Sequence, residues 1–482
     1  MTGSPRPLVV VGDALLDRDI DGTACRLAPD APAPVVDVTS DRSRPGGAGL
    51  AALLAARTGR QVTLITALGD DGASRTVRAA LRGRLRLVEL PLEGTLPVKA
   101  RVMAGGRPLV RVDRGGGTVG APPEAVREAL ASAHAVLVAD YGRGTVEAVR
   151  ALLADAARRV PVVWDPHPRG GPPVPGARLV TPNAAEAAAW EEADGDSLGA
   201  HAHRGAALAQ RWRAAAVAVT LGERGALLTR PHATAPLLVP APYRAKGDPC
   251  GAGDCFAALT ACALADGALP EEAVAQGVAA AAAFITAGGV SAHGLWEEPR
   301  GRRAPAPGGA TAGGTGATGT GGGATEAFAL VEAVRARGGT VVATGGCFDL
   351  LHAGHVGLLD SARGIGDCLV VCVNSDASLS RLKGPGRPLT PLEDRLRVLL
   401  ALGSVDAVVA FEEDTPEAVL RALRPDVWVK GGDYSCEDLP EARVLSAWGG
   451  QAVVLPYLDG RSTTRLAHRA AAASATARPA AG

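Results

Sequence analysis

Short runs of β-branched and other apolar residues recur along this chain, each separated from the next by an alanine-rich stretch of helical length. In the first 300 residues they are LVVVGD (8–13), VTLITALG (62–69), AVLVADYG (135–142), PVVWDP (161–166), ARLVTPN (177–183) and AVAVTLG (216–222), with a long helix starting near Gly47. Near-continuous apolar runs of this length, alternating with helices, predict α/β architecture around a mostly parallel sheet buried on both faces. The pattern resumes with TVVATGG (340–346), DCLVVCVNSD (367–376), VDAVVAF (405–411), VWVKGGD (427–433) and AVVLPY (452–457), predicting a second, smaller doubly wound domain. Ligands of such sheets bind beyond the carboxyl ends of the strands. There the runs carry Asp140, Asp165, Asn183, Asn374 and Asp433.

Between the two series, residues 301–325 read GRRAPAPGGATAGGTGATGTGGGAT, with almost nothing larger than threonine after Arg303. Such a stretch cannot offset its ordering entropy by burial, so it is expected to be a flexible linker between a domain over 1–300 and one over 326–482. The charge balance, 50 Lys+Arg against 50 Asp+Glu with no dense basic run, argues against nucleic acid as a partner. The most apolar stretch, Val274 to Val290, is interrupted by Gln276, Gly277 and Thr286, which suits a buried helix and not a membrane span. MTGSPRP is followed directly by the first strand and lacks secretory design, so a cytoplasmic location is expected. The eight cysteines form no CxxC pair and are expected to be reduced thiols.

Candidate chemistry begins with KGDPCGAGDCF at Lys246 to Phe256, which opens an alanine-rich helix. Gly251, Ala252 and Gly253 at a helix start would turn backbone N–H groups toward an anion, and the Asp254 carboxylate beside them could accept the proton of an attacking hydroxyl. A glycine-rich turn with Asp254 as a cap would use the same residues. Three further segments join it: RPGGAGLA at Arg44 to Ala51, TPNAAE at Thr181 to Glu186 and TLGERG at Thr220 to Gly225. Together and in this order they resemble the ribokinase-like sugar kinases over the whole first half. The resemblance implies a doubly wound sheet with a small β lid, Asp254 as base, Gly251 to Gly253 as anion hole, and Asn183, Glu186, Thr220 and Gly222 near ATP, Mg2+ and phosphate. It also implies sugar contacts from Gly12, Asp13, Gly46 and Gly47. Alone, Asn183 and Glu186 would read as cap and surface residues.

VVGDALLDRD, RLAPDAPAPVV, VKARV and LVRVD resemble in particular the heptose 7-phosphate kinases, in which case Arg26, Lys99, Arg101, Arg111 and Arg143 become candidate phosphate or lid contacts. Each could equally be a solvated surface charge. The chain departs from the family at Leu50, where an Asn usually meets the sugar, and at His167, where the sub-family has Lys in Asp-Pro-Lys. An apolar Leu50 facing the sugar predicts weak binding that Leu50→Asn would tighten; the alternative is that a neighbouring residue replaces the amide and Leu50 is simple helix packing.

In the second half TGGCFDLLHAGH, Thr344 to His355, follows a strand and enters a helix, so His352 and His355 could face a phosphate at the helix start. No His or Cys cluster supplies the further ligands a metal would need. The segment resembles the nucleotidylyltransferases that carry His-x-Gly-His, and NSD (374–376), RLKGPGRP (381–388), KGGDY (430–434) and RSTTR (461–465) fit that family. The resemblance implies a Rossmann-like fold, catalytic His352 and His355, and nucleotide contacts from Thr344, Phe348, Asp349, Lys383, Arg387, Lys430, Gly431, Asp433, Ser462, Thr463 and Thr464. Arg395 and Arg397 fit an ordinary exposed helix face equally well and are left out of the candidate site.

Both halves on one chain resemble the bifunctional enzymes of ADP-heptose synthesis. That resemblance implies phosphorylation of D-glycero-D-manno-heptose 7-phosphate at C1 and adenylyl transfer to heptose 1-phosphate, with ATP and Mg2+, a separate phosphatase between the steps, and a possible homodimer. Two alternatives stand beside it. One changes the substrates, to another sugar phosphate or to CTP with a polyol phosphate; the other makes the first half a regulatory sugar-binding module.

Overall fold

The computed structural model describes residues 5–29, 31–105, 107–231, 235–296, 324–384, 386–432 and 439–456. Asp433, Ser462, Thr463, Thr464 and nearly all of the 301–325 stretch lie outside the described residues; a helix spans Ala324–Ala336. The chain divides into two compact units, one from most of the first 300 residues and one from the residues after that stretch together with 196–202 and 232–240.

The first unit is built on β1 (Leu8–Gly12), β2 (Ala14–Leu27), β3 (Pro34–Gly47), β4 (Val62–Leu68), β5 (Arg86–Ala104), β6 (Arg107–Val119), β7 (Val136–Ala139), β8 (Val162–Asp165), β9 (Leu179–Val180), β10 (Val217–Thr220) and β11 (Ala226–Thr229). Its main sheet runs β5-β4-β1-β7-β8-β9-β10-β11, parallel except for the last pair. The order reverses about β1, whose neighbours β4 and β7 leave it in opposite directions, so the ligand crevice is expected beyond Gly12 and Ala139. Each apolar run read from the sequence is a strand here, and their side chains are almost wholly buried, as sandwiching by helices requires.

A second sheet forms the lid, in the order β3-β2-β5-β6. β5 serves both sheets: Arg86 to Pro91 pair with β4, and Val98 to Ala104 pair with β2. These strands carry charges and exposed apolar residues in turn, Val110 and Val112 among them, because most of the lid is not covered by a helix.

In the second unit β13 (Val341–Gly346), β14 (Cys368–Asn374), β15 (Ala407–Phe411), β16 (Val427–Gly432) and β17 (Gln451–Pro456) form a parallel sheet in the order β15-β14-β13-β16-β17. β12 (Leu237–Val239) extends it through Leu237, which pairs with Val454. Val341, Val370, Val409, Leu420, Trp428 and Leu445 belong to its core. The strand order again reverses beside the first strand, here between β13 and β16, and the His-x-Gly-His turn follows β13.

Candidate active sites

In the first unit the end of β1 is packed against the end of β7. A side chain at Gly12 would put a Cβ 2.0 Å from the Ala139 carbonyl oxygen, so only glycine allows that approach. Asp13, next in line, is 3% exposed. Its carboxylate accepts the N–H groups of Tyr141 (3.1 Å), Arg143 (2.9 Å) and Thr145 (3.1 Å). It therefore shapes the 141–145 loop, and with Arg143, Leu96 and Gly117 it lines a cavity under the lid. Gly46 and Gly47 pair with Leu15 and Ala14 at the lid's base. A Cβ at Gly46 would strike the Asp17 carboxylate.

A neighbouring cleft brings together Asp254, Gly253, Tyr141, Asp165, His167, Thr181, Asn183, Glu186 and Thr220, which the sequence scatters over 114 positions from 141 to 254. Gly251, with φ of +79°, caps the helix Ala252–Ala265. The Ala252 N–H donates to the Pro249 carbonyl at 3.0 Å, so Ala252 is a correction to the expected anion hole. Among the described residues no acceptor is assigned to the N–H groups of Gly251, Gly253 and Asp254, which remain available to an anion.

Asp254 accepts the Tyr141 hydroxyl at 2.7 Å. Burial raises its pKa to about 7, against the Tyr141 hydrogen bond and the Lys99 charge, while Asp17 and Glu186 add to the rise. Asp165, bonded to the Thr181 hydroxyl at 2.9 Å, is pushed well above the carboxylate range by burial and by Glu186 and Asp254. Asn183 and Glu186 form a reciprocal capping box, each bond 2.9 Å, so the cap and the cleft use the same residues. Thr220 lines the cleft and forms a bridge with Asn183, and Gly222, with φ of +60°, starts the turn after it.

The expected cations separate into two groups. Lys99 places Nζ 5.0 Å over the Tyr141 ring, and Arg101 reaches Asp19 (3.1 Å) and Asp248 (3.8 Å) near the helix start. Arg111 is paired with Asp113 (2.8 Å) and Arg26 with Asp37 (3.3 Å), both on exposed parts of the lid. His167 does line the cleft, its Nδ1 accepting the Arg169 N–H. Asp17, which sequence reasoning passed over, faces Arg44, Lys99 and Arg101 from β2, and burial raises its pKa. Leu50 is a second correction: on the helix Ala48–Ala56 it is 2% exposed and packs against Gly251, so it offers the sugar no surface.

In the second unit His352 caps the helix Ala353–Arg363. Its Nδ1 accepts the Gly354 N–H at 3.1 Å, and His355 Nδ1 lies 3.4 Å from the His352 N–H. With both Nδ1 atoms accepting, the neutral rings carry their protons on Nε2. The rings stand 4.0 Å apart, and burial followed by the His352 charge lowers the His355 pKa to about 4. Phe348, at φ of +48°, sets its ring 5.4 Å from that of His355. Burial would raise the Asp349 pKa, but the N–H groups of Thr390 (3.0 Å) and Leu389 (2.7 Å) and an ion pair with Arg387 hold it below the usual range.

Thr344 is a third correction, because its buried hydroxyl donates to the Val429 carbonyl at 2.8 Å and ties β13 to β16. Lys430 pairs with Glu441 at 2.9 Å, Gly431 continues β16, and Lys383 ends the helix Asp376–Lys383 on an exposed face. Arg395 reverses the expectation of an exposed face. At 1% exposed, it donates to the carbonyls of Thr390 (3.0 Å), Cys347 (2.6 Å) and Asn374 (2.9 Å) and to Asp376 (2.7 Å). Its Glu393-Asp394 neighbours gave a helical charge pattern with no mark of burial, whereas Arg397 is exposed as expected.

Residues 6–297 match the pfkB family of carbohydrate kinases and residues 343–455 a cytidylyltransferase-like family. A sugar kinase and a nucleotidylyltransferase are thus joined on one chain. The bifunctional protein HldE of Streptomyces coelicolor is 59% identical over 96% of both chains, and that of Vibrio vulnificus strain CMCP6 is 37% identical over 95% of this chain and 96% of its own. The chain belongs to this bifunctional HldE family. The solved ribokinase of Arabidopsis thaliana, complexed with ribose and ATP, aligns over 61% of this chain and 100% of its own at 19% identity and a TM-score of 0.48.

Proposed function

We propose that this chain makes ADP-heptose in two separated steps. The first unit transfers the ATP γ-phosphate to the anomeric hydroxyl of D-glycero-D-manno-heptose 7-phosphate, giving the 1,7-bisphosphate. A separate phosphatase removes the 7-phosphate, and the second unit joins heptose 1-phosphate to AMP from ATP with release of pyrophosphate. The observation that carries the reading is Asp254 beside three available N–H groups in a cleft shared with Asn183 and Glu186. The amides oppose charge on the moving phosphoryl group while Asp254 takes the hydroxyl proton.

Burial raises the pKa values of Asp165, Glu186 and Asp254, and the Glu186 charge adds to the rise at the other two; among the described residues no group of three or more His, Cys, Asp or Glu is placed to hold a metal ion by itself. By family resemblance Asn183 and Glu186 lie near the Mg2+ that would come with the ATP phosphates and neutralise triphosphate charge. Lys99 and Arg101 supply positive charge from the lid. In the second unit the Nε2–H groups of His352 and His355 donate to the α-phosphate oxygens as charge builds there, and no covalent intermediate is needed. Ser462, Thr463, Thr464 and Asp433 complete that site by family resemblance. The two units carry out separate steps in the cytoplasm, with homodimerisation a further expectation. Among the described residues no helix is long and apolar enough to cross a membrane. Mass spectrometry of products from heptose 7-phosphate and ATP tests the reading. Bisphosphate alone, and ADP-heptose once a phosphatase is added, supports it; neither product overturns it.

A further inference from the structure

We infer that Tyr141 is a positioning residue for phosphoryl transfer, its hydroxyl fixing the Asp254 carboxylate so that Oδ2 is left to take the acceptor's proton. The inference rests on the reading of Asp254 as the base. Tyr141 is held at three points. Its N–H donates to Asp13 at 3.1 Å, its ring lies 5.0 Å beneath Lys99 Nζ, and its hydroxyl donates to Asp254 Oδ1 at 2.7 Å. Among the described residues no hydrogen bond to Asp254 Oδ2 is present, so the two oxygens have different tasks. One is anchored, and the other is left without a hydrogen-bond partner among the described residues on a side chain that lines the cleft.

A carboxylate at the first turn of a helix rotates about its side-chain bonds unless something fixes it, and a base misdirected by about 1 Å loses much of its rate advantage. The Tyr141 hydroxyl provides the fixing bond from a loop that Asp13 itself holds in place, which links the sugar cavity to the base. During the reaction the acceptor O–H bond breaks as the new O–P bond forms from its electron pair. The proton passes to Asp254 Oδ2, and the electrons of the breaking γ-phosphorus–oxygen bond leave with ADP.

Tyr141 keeps its own proton throughout, because burial and then the Asp254 charge raise the phenol well above its ordinary value. The groups facing Asp254 are Asp17 from β2, Lys99 from β5, Asp165 from β8 and Glu186 from the helix Ala184–Trp190. Three carboxylates favour its protonation. Lys99 and the Tyr141 hydroxyl favour the ionised form a base requires.

Tyr141→Phe and Asp254→Asn in the full-length chain separate the possibilities, with steady-state kinetics on heptose 7-phosphate and ATP across pH and nucleotidyl transfer as the folding control. Tyr141→Phe is expected to leave both Michaelis constants within about twofold, lower kcat at least about tenfold at neutral pH, and move the acid limb of kcat/KM upward by about one pH unit. Asp254→Asn is expected to be inactive as a kinase. If Asp254→Asn is inactive while Tyr141→Phe has an unmoved acid limb, whatever its kcat, the inference fails and the base assignment survives. A Tyr141→Phe defect confined to Michaelis constants also overturns it. Full turnover by Asp254→Asn overturns the base assignment and the inference together.

Discussion

Leu50 packs against Gly251: a Cβ placed on that glycine would stand 2.8 Å from Leu50 Cδ2. The residue that breaks the family's sugar-binding pattern thus supports the turn that presents the anion-binding amides. Leu50→Asn would bury an amide without partners at a cost of about 1–3 kcal/mol. The expected outcome is a lower unfolding midpoint in denaturant and a lower kinase kcat, with no tightening of sugar binding. A reduced Michaelis constant for the sugar phosphate would restore the sequence-based expectation.

The Asp254 pKa of about 7 gives the kinase a pH signature. A base acts in its ionised form, so raising its pKa by burial means that activity falls as pH drops through about 7 and levels off above it. Removing the Asp17 charge takes away one of the neighbouring charges that raise this pKa. In kcat/KM profiles, Asp17→Asn should move the acid limb to lower pH.

The second site should behave differently. His355, with a pKa near 4, stays neutral at physiological pH, so nucleotidyl transfer should show no limb from this residue between about pH 6 and pH 8. His352→Ala and His355→Ala should each slow the transferase at least about a hundredfold, the usual loss of a preorganised donor to developing charge. Single-turnover assays on the two variants check this directly.

Arg395 joins three segments around the His-x-Gly-His turn through hydrogen bonds to Cys347, Asn374 and Thr390. Arg395→Ala leaves those carbonyls unsatisfied, each at a cost of about 1–3 kcal/mol before relaxation. Loss of transferase activity and a lower melting transition of the second unit are expected, with the kinase retained. Arg395→Lys should recover little, since a single ammonium cannot span the same acceptors.

Much of the two folds was legible because buried parallel strands leave uninterrupted apolar runs, as at Val136 to Ala139 and Cys368 to Asn374. The lid strands were not legible in this way. β2 mixes Asp17, Arg18, Asp19 and Asp21 with Leu16 and Ile20, since much of that sheet remains open to solvent. Among the candidate residues, Asp254 and the two histidines stand in glycine-marked turns and could be singled out from the sequence. Tyr141, Asp17 and Arg395 could not, because their roles depend on partners distant in the chain: Tyr141 meets Asp254 across 113 positions and Arg395 meets Cys347 across 48. Thr344 and Leu50 misled for the related reason that a motif position does not reveal which way its side chain turns.

The division of labour between the two sites is tested most directly by Asp254→Asn in the intact chain, with products followed by mass spectrometry. Given heptose 7-phosphate and ATP, the variant should form no 1,7-bisphosphate; given heptose 1-phosphate and ATP, it should make ADP-heptose at the wild-type rate. Bisphosphate formation at the wild-type rate, or loss of both products in a folded variant, would contradict the account.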